Sequence, residues 1–405
     1  MRSAKTIRSP PSEIWLVGSG RHHGGQRHRS ERHRRRNGRG RDLRAHLIMG
    51  IGRWQLATGS TAIEGWARQL PRWVMSLFAG YLGLWAMAVS GALVSGCGMA
   101  IENITNGAVP RTWGGFLQAL AAFALIWSAH TGRFTRMMKP LIVVMFISIV
   151  LCAALTFREP IAVLHGLFVP SIPGGSGTYV LSLIGGIGGS VTLLSYNYLL
   201  RDEGKVDPRN LRAVRIDLAT AYLFTAIFGL SVMLIANRVF HSPGIAITDR
   251  EAVSRMAGAL AGLTGVTGFY IYSLGFWAAV LASLAGVWQT IPSVFADCYI
   301  LLCRMPPDQH KAATQRTGPA YRISLLCMAV ASVPFAFMGR PLLIVIAFTV
   351  LGSLFIPFLA ITLLYLNNRV AFPPPLRPNR LTTNLVLGLI VVLFLAVGAL
   401  EIAAL

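Results

Sequence analysis

A glycine-rich stretch in the middle of an apolar segment constrains this chain more than any other feature. Gly185, Gly186, Gly188 and Gly189 lie within five residues, and Thr192 follows closely. Four glycines make a continuous helix costly, and inside a membrane an interrupted helix persists only where it is buried in protein or lines a cavity. The two half-helix ends then offer carbonyl groups to cations and N–H groups to anions. The stretch therefore predicts a solute site, with a close-packing helix face as the alternative.

Composition identifies the class of protein. Apolar residues make up 54% of the chain, charged residues only 13%, and the mean hydropathy is +0.57. A soluble domain typically contains about 25% charged residues. Because an apolar chain must satisfy its backbone hydrogen bonds inside the bilayer, the composition predicts an all-α polytopic membrane protein.

Nine apolar runs come close to the roughly 20 residues that a membrane-spanning helix needs. They are 74–101, 113–130, 139–157, 179–200, 214–237, 267–303, 322–339, 341–366 and 381–402. The 267–303 run is too long for one straight crossing, so we expect it to tilt or to extend past the membrane. The shorter Gly/Ala-rich segment 252–264 is predicted to be an interfacial helix.

The distribution of Lys and Arg predicts the orientation, because cytoplasmic loops carry the excess of both. One alternate set of loops holds 15 of these residues and the opposite set holds 6. The residues before the first predicted span are therefore expected in the cytoplasm and the C-terminus outside, in a multi-pass protein of the cell or inner membrane.

The first 48 residues are a different kind of sequence. Residues 1–50 contain 13 Lys or Arg, 3 acidic residues and 5 His, with few apolar residues and no periodicity. Such a segment cannot bury enough surface to fold alone, so a basic disordered tail is predicted for 1–48 and a transmembrane domain for 49–405. Clustered Arg beside a membrane favours binding to anionic lipid or to nucleic acid.

The sequence does not predict an enzyme. The five cysteines lack metal-ligand spacing, and neither a catalytic triad nor a phosphate-binding loop is visible. The polar loops are also too short to form a soluble catalytic domain, and no cofactor is expected.

Several motifs resemble one transporter family. They are IGRWQLATG at 51–59, EGWAR at 64–68, GGIGGSVTLLSYNY at 185–198 with RDEG at 201–204, RIDLA at 215–219, and the stretch from Phe276 to Asp297. From about Met49 to the C-terminus the chain resembles the Nramp family of divalent metal transporters, and within it the branch proposed to carry magnesium.

This resemblance implies a LeuT-type fold of eleven spans, of which the first ten form two inverted repeats. The nine predicted spans would then be the third to the eleventh, and the glycine-rich span the sixth. The family's first span is a second broken helix that contributes an acidic ligand, but Glu13, Glu31 and Asp42 lie in sequence that cannot cross a membrane. We therefore expect the chain as written not to transport. The change of composition near Leu47 resembles a reading-frame change or a misplaced start.

The resemblance also implies which residues hold the ion. Gly189 occupies the position of a backbone carbonyl ligand, and Thr192 the position of a methionine thioether. A hydroxyl is a harder ligand than a thioether, which favours Mg²⁺ or Mn²⁺ as the transported cation. Leu193 and Leu194 stand where proton-coupled members have a histidine, so proton coupling is not expected.

The predicted ion pathway adds Gly188, Ser195, Asn197 and Asp217. Instead of binding an ion, the Thr192 hydroxyl could donate to a backbone carbonyl one helical turn earlier. Asp217 needs a partner if it lies in the membrane. Tyr196 and Tyr198 are consistent with a vestibule or simply with the membrane interface. Asp297 is expected to pair locally and to have a structural role.

Two other functions remain open. The same architecture could carry an amino acid or another organic solute. The chain could also be a membrane scaffold or regulator whose basic tail binds lipid or nucleic acid. For the transporter, the expected partners are membrane lipids and a divalent cation as substrate, without nucleic acid.

Overall fold

The structure is a computed structural model. It describes residues 43–128, 131–157, 163, 165–166, 176–186, 191–202, 207, 210–241, 252–306, 315–338, 340–369 and 381–403. The predicted basic tail, 1–48, lies almost entirely outside these ranges. The described part from Leu43 onward belongs to one compact unit.

All regular structure in the described ranges is helical. The α-helices are α1 (Leu43–Thr58), α2 (Ala62–Gln69), α3 (Arg72–Ile104), α4 (Arg111–Trp127), α5 (Thr131–Thr156), α6 (Gly177–Gly186), α7 (Thr192–Asp202), α8 (Leu211–Ala236), α9 (Ala252–Thr264), α10 (Val266–Leu302), α11 (Pro319–Phe337), α12 (Pro341–Arg369) and α13 (Leu381–Ala403). A π-helical turn, Asn237–His241, extends α8. The absence of described strands agrees with the predicted all-α class.

Helices occupy all nine of the predicted apolar runs, with α6 and α7 together filling the fourth run. Within the described ranges, α3, α10, α12 and the segment Arg212–Val239 are long and apolar enough to cross a membrane. Shorter apolar helices include 142–155, 177–186, 319–335 and 381–396. The long α10 is one continuous helix of 37 residues that contains Pro292.

A left-handed glycine separates the predicted short helix α9 from α10. Gly265 has a φ of 71°, a conformation that costs other L-residues steric strain. Its N–H donates to the Ala261 carbonyl at 2.8 Å, which closes α9, and its own carbonyl accepts the Gly268 N–H at 3.0 Å. The helix predicted over 252–264 is therefore present, and its place at the membrane interface stays a prediction.

Four helices, α3, α4, α10 and α11, pack together in one group. Polar side chains join them: Trp288 donates to Ser90 at 2.9 Å, Trp277 donates to Gln118 at 2.5 Å, and Gln118 donates to the Cys97 carbonyl at 3.0 Å. Lipid gives little apolar driving force for helix association, so such bonds and close packing hold membrane helices together. Further bonds run from Asn103 to Ser273, from Ser95 to the Phe335 carbonyl and from Tyr321 to the Gln289 carbonyl.

A second apolar cluster lies where α5, α8, α9 and α10 meet. Its buried members include Met145, Ile149, Ile235, Met256 and Leu260. Large apolar side chains are exposed on outward faces of the same bundle, for example on α8, α11 and α13. That distribution is typical of a surface that faces lipid rather than water.

Candidate functional site

Two separate helices lie on either side of residues 187–190 of the glycine-rich stretch. Helix α6 ends at Gly186 and α7 begins at Thr192. Gly188 and Gly189, the predicted pathway and carbonyl-ligand residues, lie outside the described residues. Val191 is fully buried, and its carbonyl accepts the Leu194 N–H at 2.9 Å, which forms the first turn before α7. The predicted helix break is therefore present, with Thr192 at the start of its second half.

The N-terminal half, α6, packs against α12 at backbone distance. A Cβ at Gly185 would overlap the Thr349 carbonyl oxygen and would lie 2.8 Å from the Ser353 nitrogen. Only glycine permits this approach, which is the close-packing alternative considered for the stretch. Close packing therefore applies to Gly185, whereas Val191 forms the turn that interrupts the helix before α7.

A hydroxyl pair reinforces this contact between α6 and α12. Thr349 Oγ1 lies 2.8 Å from the Val345 carbonyl and 2.9 Å from the Ile346 carbonyl. These two carbonyls share the hydrogen bond that the single Thr349 hydroxyl proton can donate. Ser182 therefore donates its own proton to the Thr349 hydroxyl.

The C-terminal half, α7, is buried in a different part of the bundle. Leu193, Leu194 and Ser195 are all buried. Among the residues that the structure describes, no group bonds the Ser195 hydroxyl oxygen. Thr192 and Ser195 are three residues apart and share one face of α7. A buried hydroxyl without a protein partner is typical of a place where water or a ligand completes the hydrogen bonding.

Tyr198 and Asp297 form a contact that the sequence did not predict. The Tyr198 hydroxyl donates to Asp297 Oδ2 at 2.5 Å, and both side chains are buried. The two residues lie 99 positions apart in the sequence, so the bond joins distant parts of the chain, and the expected local pairing of Asp297 stays a prediction. From this buried position the Tyr198 phenol links α7 to α10.

Helix α1 is a second feature that sequence reasoning missed. Leu47, Ile51 and Trp54 are buried, and α1 packs against α7, α8, α12 and α13. Asn367 of α12 donates to the Gly50 carbonyl at 3.3 Å. From the sequence, residues 43–48 were placed in the basic tail and the rest of α1 only in the segment before the first predicted span. Its apolar residues at 47, 51 and 54 are the helix-periodic signal that could have identified a buried face.

The other predicted pathway residues are only partly covered by the described residues. Asn197 lies in α7, and its side chain is outside the description. Asp217 lies on an exposed face of α8, whereas Ser195 is buried. Within the described residues, no group of three or more His, Cys, Asp or Glu side chains could hold a metal ion. The described donors beside the break are therefore hydroxyl and backbone oxygens.

The fold defines the class of protein as a multi-pass helical membrane protein with an interrupted helix, the arrangement of secondary transporters. The chain matches the family model described as natural resistance-associated macrophage protein-like, Nramp, over residues 48–403. It belongs to the Nramp family of divalent metal cation transporters. No curated protein matches the chain.

Family membership confirms several sequence-based predictions. The fold is the LeuT-type transporter fold, and the protein is a transporter rather than an enzyme. The divalent cation is its substrate, and no cofactor is needed. This result favours a metal cation over the organic solute and over the scaffold or regulator that the sequence left open.

Proposed function

We propose that the break between α6 and α7 holds this chain's share of a site for a hard divalent cation, Mg²⁺ or Mn²⁺. The observation that carries the proposal is the position of Thr192 at the first residue of α7, immediately after the break. In the assigned site, Gly189 supplies its carbonyl and Thr192 its hydroxyl. Gly188, Ser195 and Asn197 line the pathway, and Asp217 lies along it on α8.

Ligand chemistry supports the choice of cation. Mg²⁺ and Mn²⁺ prefer oxygen ligands, whereas a thioether favours softer transition metals. Mg²⁺ also loses its water reluctantly, so it would be bound with several waters in place. The Ser195 hydroxyl, which no described group bonds, offers a partner to such a water.

The chain supplies one half of the site that the family resemblance implies. Residues 1–48 offer no apolar segment that could contain the other broken helix and its acidic ligand. We accordingly propose that the 405-residue chain by itself binds the cation weakly and does not carry it across a membrane. Metal binding is therefore a better first readout than transport.

The test compares Thr192→Met with the parent chain. The purified 405-residue protein is titrated with Mn²⁺, bound Mn²⁺ is followed by electron paramagnetic resonance, and Mg²⁺ and Cd²⁺ are used as competitors. We expect the substitution to weaken Mg²⁺ competition and to strengthen Cd²⁺ competition, each by about tenfold, because a soft sulfur replaces a hard oxygen.

Thr225→Met is the matched control, because Thr225 is an exposed residue of α8 whose hydroxyl bonds the Ala221 carbonyl. It should leave both competitions unchanged. Identical competition profiles for Thr192→Met and Thr225→Met would contradict the assignment of Thr192. Mn²⁺ uptake into proteoliposomes above protein-free vesicles would contradict the proposed inactivity.

We also propose that the segment preceding α3 is cytoplasmic and that the C-terminus is outside, as the distribution of Lys and Arg indicates. Cys303 follows α10 and is exposed, while Cys97, Cys152 and Cys298 are buried. A membrane-impermeant maleimide should label Cys303 only from the cytoplasmic side, with Cys303→Ser as the control for labelling at Cys327. Labelling of Cys303 from outside would reverse the orientation.

A further inference from the structure

A cavity lined by three arginines lies outside the cation site. It has a volume of about 270 Å³ and lies between the end of α2, the start of α3 and the end of α10. Arg68, Arg72 and Arg304 all line it. The remaining lining residues are apolar: Ala67, Met75, Ile300, Leu301, Leu302 and Met305.

The three arginines are available to a ligand. All three are exposed. No carboxylate among the described residues forms an ion pair with any of them, including Glu64, which lies one turn before Arg68 on α2. Three guanidinium groups around one cavity repel each other, and an anion between them relieves that repulsion while accepting their hydrogen bonds.

The backbone at the start of α3 favours an anion at the same place. Pro71 precedes α3 and provides no side-chain cap for the first N–H groups, and Arg72 is the first residue of the helix. Uncapped N–H groups and the helix dipole both attract negative charge. Two independent features, the arginine cluster and the helix start, therefore point to the same kind of ligand.

Arg304 occupies a position that its backbone suits poorly. Its φ of 53° lies in the left-handed region, where glycine is usual at a helix end. The Met305 N–H donates to the Ile300 carbonyl at 3.1 Å, the bond that closes α10 as in a Schellman motif. Glycine would fit this backbone with less strain, so what arginine adds at this position is its charged side chain.

The surroundings distinguish a lipid from a soluble anion. Trp73 and Leu77 of α3 are exposed by 67% and 64%, and Tyr299 of α10 by 55%. Exposed Trp and Tyr beside exposed Leu are typical of the level where lipid headgroups meet acyl chains. Buried Met75 and Ile300 give the cavity an apolar wall behind its cationic rim.

We propose that this cavity binds the phosphate group of an anionic phospholipid. Arg68, Arg72 and Arg304 hold the phosphate oxygens, and the acyl chains lie along the apolar surface that includes Leu77. The bound lipid ties the junction of α2 and α3 to the end of α10. This inference concerns a site separate from the α6–α7 break and does not depend on which cation is carried.

The test measures lipid binding to the full 405-residue chain. Native mass spectrometry in a nonionic detergent counts the lipids bound to the protein as the lipid concentration is increased. Phosphatidylglycerol is compared with phosphatidylcholine of the same acyl chains. We expect phosphatidylglycerol to bind at least about tenfold more tightly than phosphatidylcholine. Each of Arg68→Gln, Arg72→Gln and Arg304→Gln should weaken it by about fivefold, and the triple variant by about a hundredfold.

A matched triple variant controls for net charge. Arg212→Gln, Arg215→Gln and Arg340→Gln remove the same charge from exposed positions outside the cavity. It should weaken phosphatidylglycerol binding by less than about threefold, because the attraction of a distant charge is screened. Equal losses in the two triple variants would overturn the proposal.

Two further measurements distinguish a loss of lipid binding from misfolding, and a lipid phosphate from a soluble phosphate. Arg304→Gly should raise the apparent melting temperature in lipid-free detergent, because it relieves the left-handed strain, and yet weaken phosphatidylglycerol binding about fivefold. Unchanged lipid binding in that variant would overturn the assignment. Inorganic phosphate at millimolar concentration should not displace phosphatidylglycerol; displacement would identify a soluble phosphate site and overturn the lipid proposal.

Discussion

The two halves of the interrupted helix are attached to the protein in different ways. Helix α6 lies against the backbone of α12, through Gly185 and the hydroxyl pair of Ser182 and Thr349. Helix α7 is instead linked to α10 by the buried Tyr198–Asp297 bond, and it also packs against α1. A helix that continued through residues 187–190 would have to satisfy both attachments with one rigid rod.

The comparison shows what the interruption does for the fold. On the described side of the interruption, the Leu194 N–H donates to the Val191 carbonyl, which is an i to i−3 turn and not the i to i−4 pattern of a continuing α-helix. In secondary transporters, the carbonyl and N–H groups at two such helix ends are available to a solute. The α6 contact depends on shape, while the α7 contact depends on a buried side-chain hydrogen bond, so the two respond to different substitutions.

The largest effect is expected at Gly185, where α6 and α12 lie too close together for a side chain. Gly185→Ala places a methyl group against the backbone of α12, which cannot move as a flexible side chain can. We expect the free energy of unfolding to fall by about 3 kcal/mol, because overpacking a tight core costs this much. Unfolding in increasing SDS, followed by circular dichroism, measures the change.

Gly229→Ala is the matched control, because Gly229 lies in α8 with open space around the added methyl. It should leave stability unchanged or raise it by about 0.5 kcal/mol through better helix propensity. A loss for Gly185→Ala no larger than that for the control would show that α6 is not tightly held.

A smaller effect is expected for the attachment of α7. Tyr198→Phe removes the donor to Asp297 and leaves a buried carboxylate with one fewer hydrogen bond. The expected loss is about 2 kcal/mol, within the usual range for a buried acceptor that loses its partner. The same SDS titration applies.

Tyr299→Phe removes a hydroxyl from an exposed side chain two positions after Asp297, and it should be neutral. Asp297→Asn in the Tyr198→Phe background should recover part of the loss, because a neutral amide is cheaper to bury. If the double variant were less stable than Tyr198→Phe alone, the carboxylate would not be the source of the cost.

The smallest effect is expected for the hydroxyl pair on α6. Ser182→Ala removes a donor to Thr349, but the Thr349 hydroxyl keeps its bonds to the carbonyls of its own helix. Stability should fall by about 0.5 kcal/mol, the low end for a net hydrogen bond. Ser283→Ala serves as the control, since Ser283 bonds only its own helix at Ala279. A larger loss of stability for Ser182→Ala than for Tyr198→Phe would contradict the expected order of the two effects.

The sequence by itself determined the membrane class, the positions of the apolar helices and the place of the helix break. These features follow from local chemistry: long apolar runs have no other stable conformation in a bilayer, and clustered glycines weaken a helix wherever they occur. The motif resemblance added the family, which the match over residues 48–403 confirmed.

Only the tertiary structure decided which groups meet. It paired Asp297 with Tyr198, placed Gly185 against the backbone of α12, and buried α1 among four helices. It also brought Arg68, Arg72 and Arg304 around one cavity although they come from separate helix ends. Contacts between residues far apart in the chain depend on how the helices pack, and a hydrophobic pattern specifies which face of a helix is buried but not which neighbour covers it.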